Sequence, residues 1–241
     1  MIKCPECGAE QASENPKFCF ECGHRFGEAS SPAPAESIEE KLEAFLYDDL
    51  GNGRYSIRKL KDKFAESVEI PEGVVEIGVI AFSGCTLLRS ITLPKSLLTV
   101  RSSAFEKCTA LEEVVFLSEK CALEQGVFHG CSELKSVRLP SGLTVIPVDL
   151  FSGASSLKEL VLPDTVKKIE NFAFRDTAIK TIYLPTSIEF LASCAFSNSV
   201  KTVCYTGTKE QWKKVNKEGT TYQSAEWRDF KITFAEQGRN A

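Results

Sequence analysis

The apolar positions of this chain fall into one repeating frame. An aromatic recurs at Phe82, Phe105, Phe128, Phe151, Phe174 and Phe196, in steps of 23, 23, 23, 23 and 22 residues. Three positions after each comes a small residue: Cys85, Cys108, Cys131, Ala154, Thr177 and Ser199. An aliphatic follows at Leu88, Leu111, Leu134, Leu157, Ile179 and Val200. Then come the alternating pairs Ile91/Leu93, Val114/Phe116, Val137/Leu139, Leu160/Leu162, Ile182/Leu184 and Val203/Tyr205. A proline usually closes the unit (Pro71, Pro94, Pro140, Pro163 and Pro185), with Leu117 in the second repeat.

A fixed period in the twenties predicts a solenoid. Each alternating pair has period two, so both side chains point inward from a short strand. The proline ends that strand by removing an amide donor. A second apolar stretch, such as Val74-Val75-Glu76-Ile77 or Val166-Lys167-Lys168-Ile169, returns the chain across the other face. The Phe plugs the corner, and the small residue after it permits a tight turn back. One coil buries little alone; stacking makes the core continuous. The predicted fold is therefore mainly β (an α/β leucine-rich-repeat type). It is a right-handed solenoid of about 6 repeats of 22–23 residues, with short capping helices. At ~4.8 Å per coil it is a rod about 30 Å long.

The flanks supply the ends. Ser37 and Glu40 form a capping box, and Ile38, Leu42, Phe45 and Leu46 continue at helical spacing up to Gly51. This predicts an amphipathic helix over 38–50 whose stripe covers the first coil. Thr208 and Gln211 form a second capping box, for a short helix carrying Trp212 and Val215. Phe230-Lys231-Ile232-Thr233-Phe234 reads as a last covering strand. The organisation expected is a zinc ribbon at 1–27, a flexible linker at 28–36, an N-terminal cap region at 37–64 and repeats at 65–206. A C-terminal cap at 207–235 and a flexible tail at 236–241 complete it. The linker, EASSPAPAE, is small and proline-bearing, which makes it a semi-flexible tether.

The ribbon rests on two CxxC knuckles, Cys4-Pro5-Glu6-Cys7-Gly8 and Cys19-Phe20-Glu21-Cys22-Gly23. Each knuckle aims two thiolates at one point, and four thiolates suit tetrahedral zinc. So short a segment cannot bury a core, so one structural zinc would supply its folding energy. Disulfides or a redox CxxC are the alternatives, but no thioredoxin-like strand and helix surround the pairs. The segment resembles the zinc-ribbon heads of many bacterial proteins, which implies Cys4, Cys7, Cys19 and Cys22 as the ligands. Four thiolates already fill the shell, so His24 is read as a surface residue.

The repeat itself resembles the BspA-like leucine-rich-repeat family, whose unit runs A-F-x-x-C-x-x-L-x-x-I-x-L-P-x-x-V-x-x-I-G. The stretch from Ala81-Phe82 through Cys85, Leu88, Ile91 and Leu93 to Pro94 matches it position by position. The stretch Tyr205–Trp212 resembles the family's terminal cap. The resemblance implies protein binding through the strand face, and many family members act at cell surfaces. On this chain the outward positions of that face include Glu113, Arg138, Glu159 and Tyr183, which are the candidate partner-binding residues. Arg138 and Tyr183 are of the types enriched at binding hot spots.

Charge and composition narrow the picture little further. The net charge of −4 offers no drive toward phosphate backbones. In the ribbon Glu6, Glu10, Glu14 and Glu21 outnumber Lys3, Lys17 and Arg25, so nucleic acid is disfavoured as a partner. No apolar run is long enough to span a bilayer. The segment Met1-Ile2-Lys3-Cys4-Pro5 lacks the apolar stretch of a signal peptide, which predicts a cytoplasmic monomer, with the cell surface as the alternative. The chain holds two histidines. Glu106, His129 and Ser152 share one position of successive coils, yet ~4.8 Å rungs are too far apart for direct hydrogen bonds. No oxyanion donor is evident, so no enzyme activity is expected. Cys85, Cys108 and Cys131 read as small core residues, because Ala154, Thr177 and Ser199 take the same slot. Lys209, Lys213, Lys214 and Lys217 read as a solvated helix face. The expected function is a non-enzymatic protein-interaction scaffold. A surface adhesin and a nucleic-acid-associated regulator acting through the ribbon are the alternatives.

Overall fold

The computed structural model describes residues 2–3, 10–11, 37–196, 200–217 and 231–234. The chain divides into two compact units, Met1–Ser37 and Ile38–Ala241. In the first, β1 (Ile2–Lys3) pairs antiparallel with β2 (Glu10–Gln11). The knuckle cysteines, the linker and the tail lie outside the described residues.

The second unit is a β-solenoid of about 7 turns. It opens with α1 (Ile38–Leu42), followed by β3 (Phe45–Asp49) and β4 (Tyr55–Leu60). The amphipathic helix expected over 38–50 is therefore present only over its first 5 residues. Its second half is a strand that pairs antiparallel with β4. The turn between them explains why: Gly51, Asn52 and Gly53 all take positive φ. Asn-Gly between two aromatic-rich runs is a hairpin signal, and here it overrides the helical spacing. The middle of the stripe is buried nonetheless, while Leu46 stands 46% exposed. Leu42 and Phe45 lie in the core, and the Phe45 ring meets Phe82 edge-on at 6.1 Å.

Two faces run along the stack. The front holds β5 (Ser67–Glu69), β7 (Ser90–Leu93), β9 (Glu113–Phe116) and β11 (Ser136–Arg138) in one parallel sheet. Further along it, β14 (Thr181–Leu184), β16 (Thr202–Tyr205) and β18 (Lys231–Phe234) form another. The back holds β3, β4, β6 (Val74–Ile77), β8 (Thr99–Val100) and β10 (Ala122–Leu123). It continues with β12 (Val145–Ile146), β13 (Lys168–Ile169), β15 (Phe190–Leu191) and β17 (Asn216–Lys217). Register follows the repeat, with Ile91 opposite Val114 and Ile182 opposite Val203.

The inward pairs behave as their alternation predicts. Ile91, Leu93, Val114, Phe116, Ile182, Leu184, Val203 and Tyr205 are buried. At the corner, rings stack from Phe82 to Phe196 with centroid separations of 4.8, 5.7, 5.7, 5.9 and 6.0 Å. The turn around each Phe from Phe82 to Phe174 uses left-handed backbone twice. Two positions before it stand Ile80, Ser103, Gly126, Asp149 and Phe172, and two after it Gly84, Lys107, Gly130, Gly153 and Asp176, all at positive φ. Ile80 at φ 53° is the costliest, because a β-branched side chain crowds the backbone there.

The far end is closed by α2 (Lys209–Lys214) and β18. Thr208 and Gln211 form the capping box reciprocally, and Trp212 and Val215 are buried. Lys217 is not a solvated lysine. Its ammonium donates to the carbonyls of Trp212 and Val215 at 2.8 Å each and lies over the Trp212 ring. It thus adds a donor to the carbonyls exposed where α2 ends, the Trp212 carbonyl also accepting from the Val215 amide at 3.2 Å, and burial pushes its pKa down.

Candidate functional site

Hydrogen bonds between coils show where the front face is regular and where it is not. The amide leading into each strand donates to the coil before it: Arg89 to Glu66 (3.2 Å), Glu112 to Arg89 (2.7 Å), Lys135 to Glu112 (2.9 Å) and Lys201 to Lys180 (2.8 Å). Among the described residues the bond is missing from Lys158 to Lys135 and from Lys180 to Lys158. Residues 158–162 accordingly form no strand, and β11 and β14 have no partner between them.

Two local features accompany the break. From Phe174 to Ile179 the corner is one residue shorter than from Phe151 to Leu157. The Ala178 amide consequently takes the Leu157 carbonyl at 3.0 Å, ahead of the usual position. Where strands end, Pro140, Pro163 and Pro185 offer no amide on three consecutive coils. Leu117 and Thr206, which stand where a proline otherwise falls, do donate, to Leu93 (2.9 Å) and Leu184 (3.0 Å). The back face has a break of its own. Gly78, Arg101, Glu124, Glu170 and Ala192 each donate to the preceding coil, and Pro147 replaces that donor between β10 and β12.

The front break opens a groove of about 660 Å³ lined by residues 158–161, Ala178, Lys180, Thr181 and Tyr183. Two of the four sequence-predicted face residues, Glu159 and Tyr183, fall in it. Glu113 and Arg138 lie on the regular sheet before it, exposed, on β9 and β11. Val161 stands out at 85% exposure, beside Tyr183 at 61%. The groove is absent from the repeat pattern, which places 159 and 161 on an ordinary strand. The signal for it was the single 22-residue step.

Charge follows the same division. The position before each strand reads Arg89, Glu112, Lys135, Lys158, Lys180 and Lys201. Glu112 pairs with Arg89 at 3.1 Å and with Lys135 at 2.6 Å, and the Lys135 hydrogen bond holds its carboxyl below the ordinary carboxylate value. Among the described residues no ion pair involves Lys158, Lys180 or Lys201. Among the described residues the column is ion-paired up to the break and unpaired beyond it.

The Glu106, His129 and Ser152 series does not assemble catalytic contacts. Ser152 is 1% exposed and accepts from Arg175 Nε at 3.1 Å. His129 Nδ1 is buried without a hydrogen-bond partner. Burial raises the Glu106 carboxyl, but hydrogen bonds from Lys107 and Ser103 outweigh it and hold the group below its ordinary value. The cysteine ladder is packing. Cys108 Sγ donates to the Phe82 carbonyl at 3.0 Å and Cys131 Sγ to Phe105 at 3.2 Å. The neighbouring Cys108 thiol and burial push Cys85 up, a hydrogen bond with Cys131 and burial do the same for Cys108, and burial takes Cys121 to about 12. Thiols so shifted are inert. Among the described residues no cluster of His, Cys, Asp or Glu is arranged to hold a metal. No helix among them is long and apolar enough to cross a membrane.

Comparison with known proteins gives the same frame. The BspA type leucine-rich repeat region matches in 6 copies over residues 60–170 and 144–218. The crystal structure of a T. pallidum leucine-rich-repeat protein is similar at 30% identity and a TM-score of 0.58, covering 67% of this chain and 83% of that one. A leucine-rich cell surface protein from Faecalibacterium prausnitzii is similar in fold at 24% identity and a TM-score of 0.53; the match covers 68% of this chain and about half, 53%, of that protein. None of the curated proteins matches. With the period, the two strand faces and the Phe column accounted for, the chain belongs to the BspA-type leucine-rich-repeat family.

Proposed function

We propose that the chain is a non-enzymatic protein-interaction scaffold that recognises a protein partner through its front strand face. The observation that carries this reading is the face itself. The inward positions are consumed by the core, while Glu113, Arg138, Glu159 and Tyr183 stand exposed on successive coils. Arg and Tyr at such positions supply planar hydrogen bonding and rigid contact area. Family membership points the same way, and it leaves both an intracellular scaffold and a surface adhesin within the reading.

The N-terminal segment is read as a zinc ribbon holding one structural Zn²⁺ on Cys4, Cys7, Cys19 and Cys22. Its support is the CxxC spacing, together with the antiparallel β1–β2 pair that brackets the first knuckle. Native mass spectrometry of the intact chain tests it: one zinc with the other thiols free is the expected mass, and a metal-free chain lighter by paired hydrogens would replace zinc with disulfides.

The face itself is tested by differential capture. The full chain, the Arg138→Glu/Tyr183→Ala variant and the back-face variant Thr99→Lys/Ala122→Lys, at the outward positions of β8 and β10, are compared as baits, with captured proteins quantified. A partner retained by the back-face variant and lost by the front-face variant is expected. Partners indifferent to the front-face changes would overturn the reading.

A further inference from the structure

The groove at 158–161 combines three features that point to one kind of occupant. The first is unpaired backbone. Residues 159–162 and the facing edge of β14 have the inward-outward alternation of strands, yet no bond joins them across the gap. Exposed strand edges are templates for another extended backbone. The coils stay together elsewhere. Phe151 and Phe174 stack at 5.9 Å, and on the back face β13 pairs with both β12 and β15. The opening is therefore a wedge confined to the front face, not a separation of the stack.

The second feature is an apolar pair at its mouth, Val161 and Tyr183, both exposed. Elsewhere on the face these positions carry polar residues at Glu69, Thr92 and Arg138, against Val115 and Cys204. The third is charge. Lys158 and Lys180 line the groove, Lys201 follows in the same column, and among the described residues none has an acidic partner as Lys135 has Glu112. Glu159 is the single acid in the lining.

We infer that this groove binds an extended peptide segment of a partner protein by strand addition, the segment carrying an acidic residue beside an apolar one. Its backbone pairs with the open edge of β14. Its apolar side chain covers Val161 and Tyr183, and its carboxylate sits between Lys158 and Lys180. The inference rests on the front-face reading above and narrows it to one coil.

A random 12-residue phage-displayed library selected on the full chain supplies the probe, and the strongest binder is synthesised with a fluorophore. Enrichment of peptides pairing Asp or Glu with an apolar residue is expected. Val161→Lys/Tyr183→Ala, at two exposed positions, weakens binding at least tenfold while leaving the melting temperature unchanged. N-methylation of alternate peptide residues weakens it similarly, because it removes backbone donors. Hydrogen exchange shows new protection at residues 159–162 and in β14. Binding lost in Arg138→Glu but not in Val161→Lys/Tyr183→Ala would overturn the groove and keep the front face. Binding indifferent to both would overturn both. A salt-insensitive, acid-free consensus would remove the lysines from the argument and with them this proposal. Concentration-dependent self-association abolished by Val161→Lys would make the occupant a second copy of the chain, and would overturn the peptide.

Discussion

The Phe corner and the front strand face are built by the same repeats, yet only one of them is continuous. Rings stack without interruption from Phe82 to Phe196, and Phe45 extends the column into the N-terminal cap. The front sheet breaks at 158–162, and the back sheet breaks at Pro147. The comparison separates what holds the coils from what decorates them. Buried rings gain from area and close contact whatever the backbone nearby does. A parallel ladder needs an amide and a carbonyl at each rung, and a proline at a rung, as at Pro147, removes the amide. The two breaks are offset along the stack, so each is backed by an intact ladder on the opposite face.

The sharpest way to break this comparison is to remove a ring from the middle of the column. Phe128→Ala leaves a cavity between Phe105 and Phe151 and costs about 3–5 kcal/mol in urea unfolding. A cost near that of a surface substitution would show that the column does not hold the stack.

Left-handed corner positions come next. Gly84 has φ 74° and open space where a Cβ would go, so Gly84→Ala isolates the backbone cost, about 1 kcal/mol. Ile80, at φ 53° and 58% exposed, runs the other way. Ile80→Asn relieves strain and stabilises by about 0.5–1 kcal/mol. A loss of stability there would mean that the exposed Ile80 side chain packs more than its burial shows.

Alkaline titration probes a core thiol at the start of the back strand β10. Cys121 ionises at about 12 in the folded chain against an ordinary 9.0. Its thiol stays protonated when folded and ionises when unfolded, so its stabilising contribution is whole below pH 9 and is lost between about 9 and 12. The urea midpoint of the wild type falls through that window. Cys121→Ala falls less steeply, and equal slopes would contradict a buried protonated thiol.

The smallest effect belongs to the break. Val161→Ser, at a side chain 85% exposed, changes stability by under about 0.5 kcal/mol. A cost like that of a core residue would mean that the groove closes in solution.

The sequence by itself determined the coil. A 23-residue period of Phe, small residue, aliphatic and alternating pair admits one way of burying its apolar side, and Ile91, Leu93, Phe105 and Cys108 lie where that period puts them. It determined the C-terminal cap too, because Thr208 and Gln211 satisfy a purely local demand of a helix start. At the N-terminal cap local signals conflicted. Helical spacing over Ile38–Leu46 competed with Asn52-Gly53, and the hairpin prevailed because pairing with β4 covers a sheet edge that a helix would leave open. The groove was the least legible feature. The loss that accompanies it, one residue between Phe174 and Ile179, is visible in the spacing. Whether such a loss is absorbed in the turn or breaks the neighbouring ladder depends on how adjacent coils share carbonyls, and that sharing exists only once they are stacked.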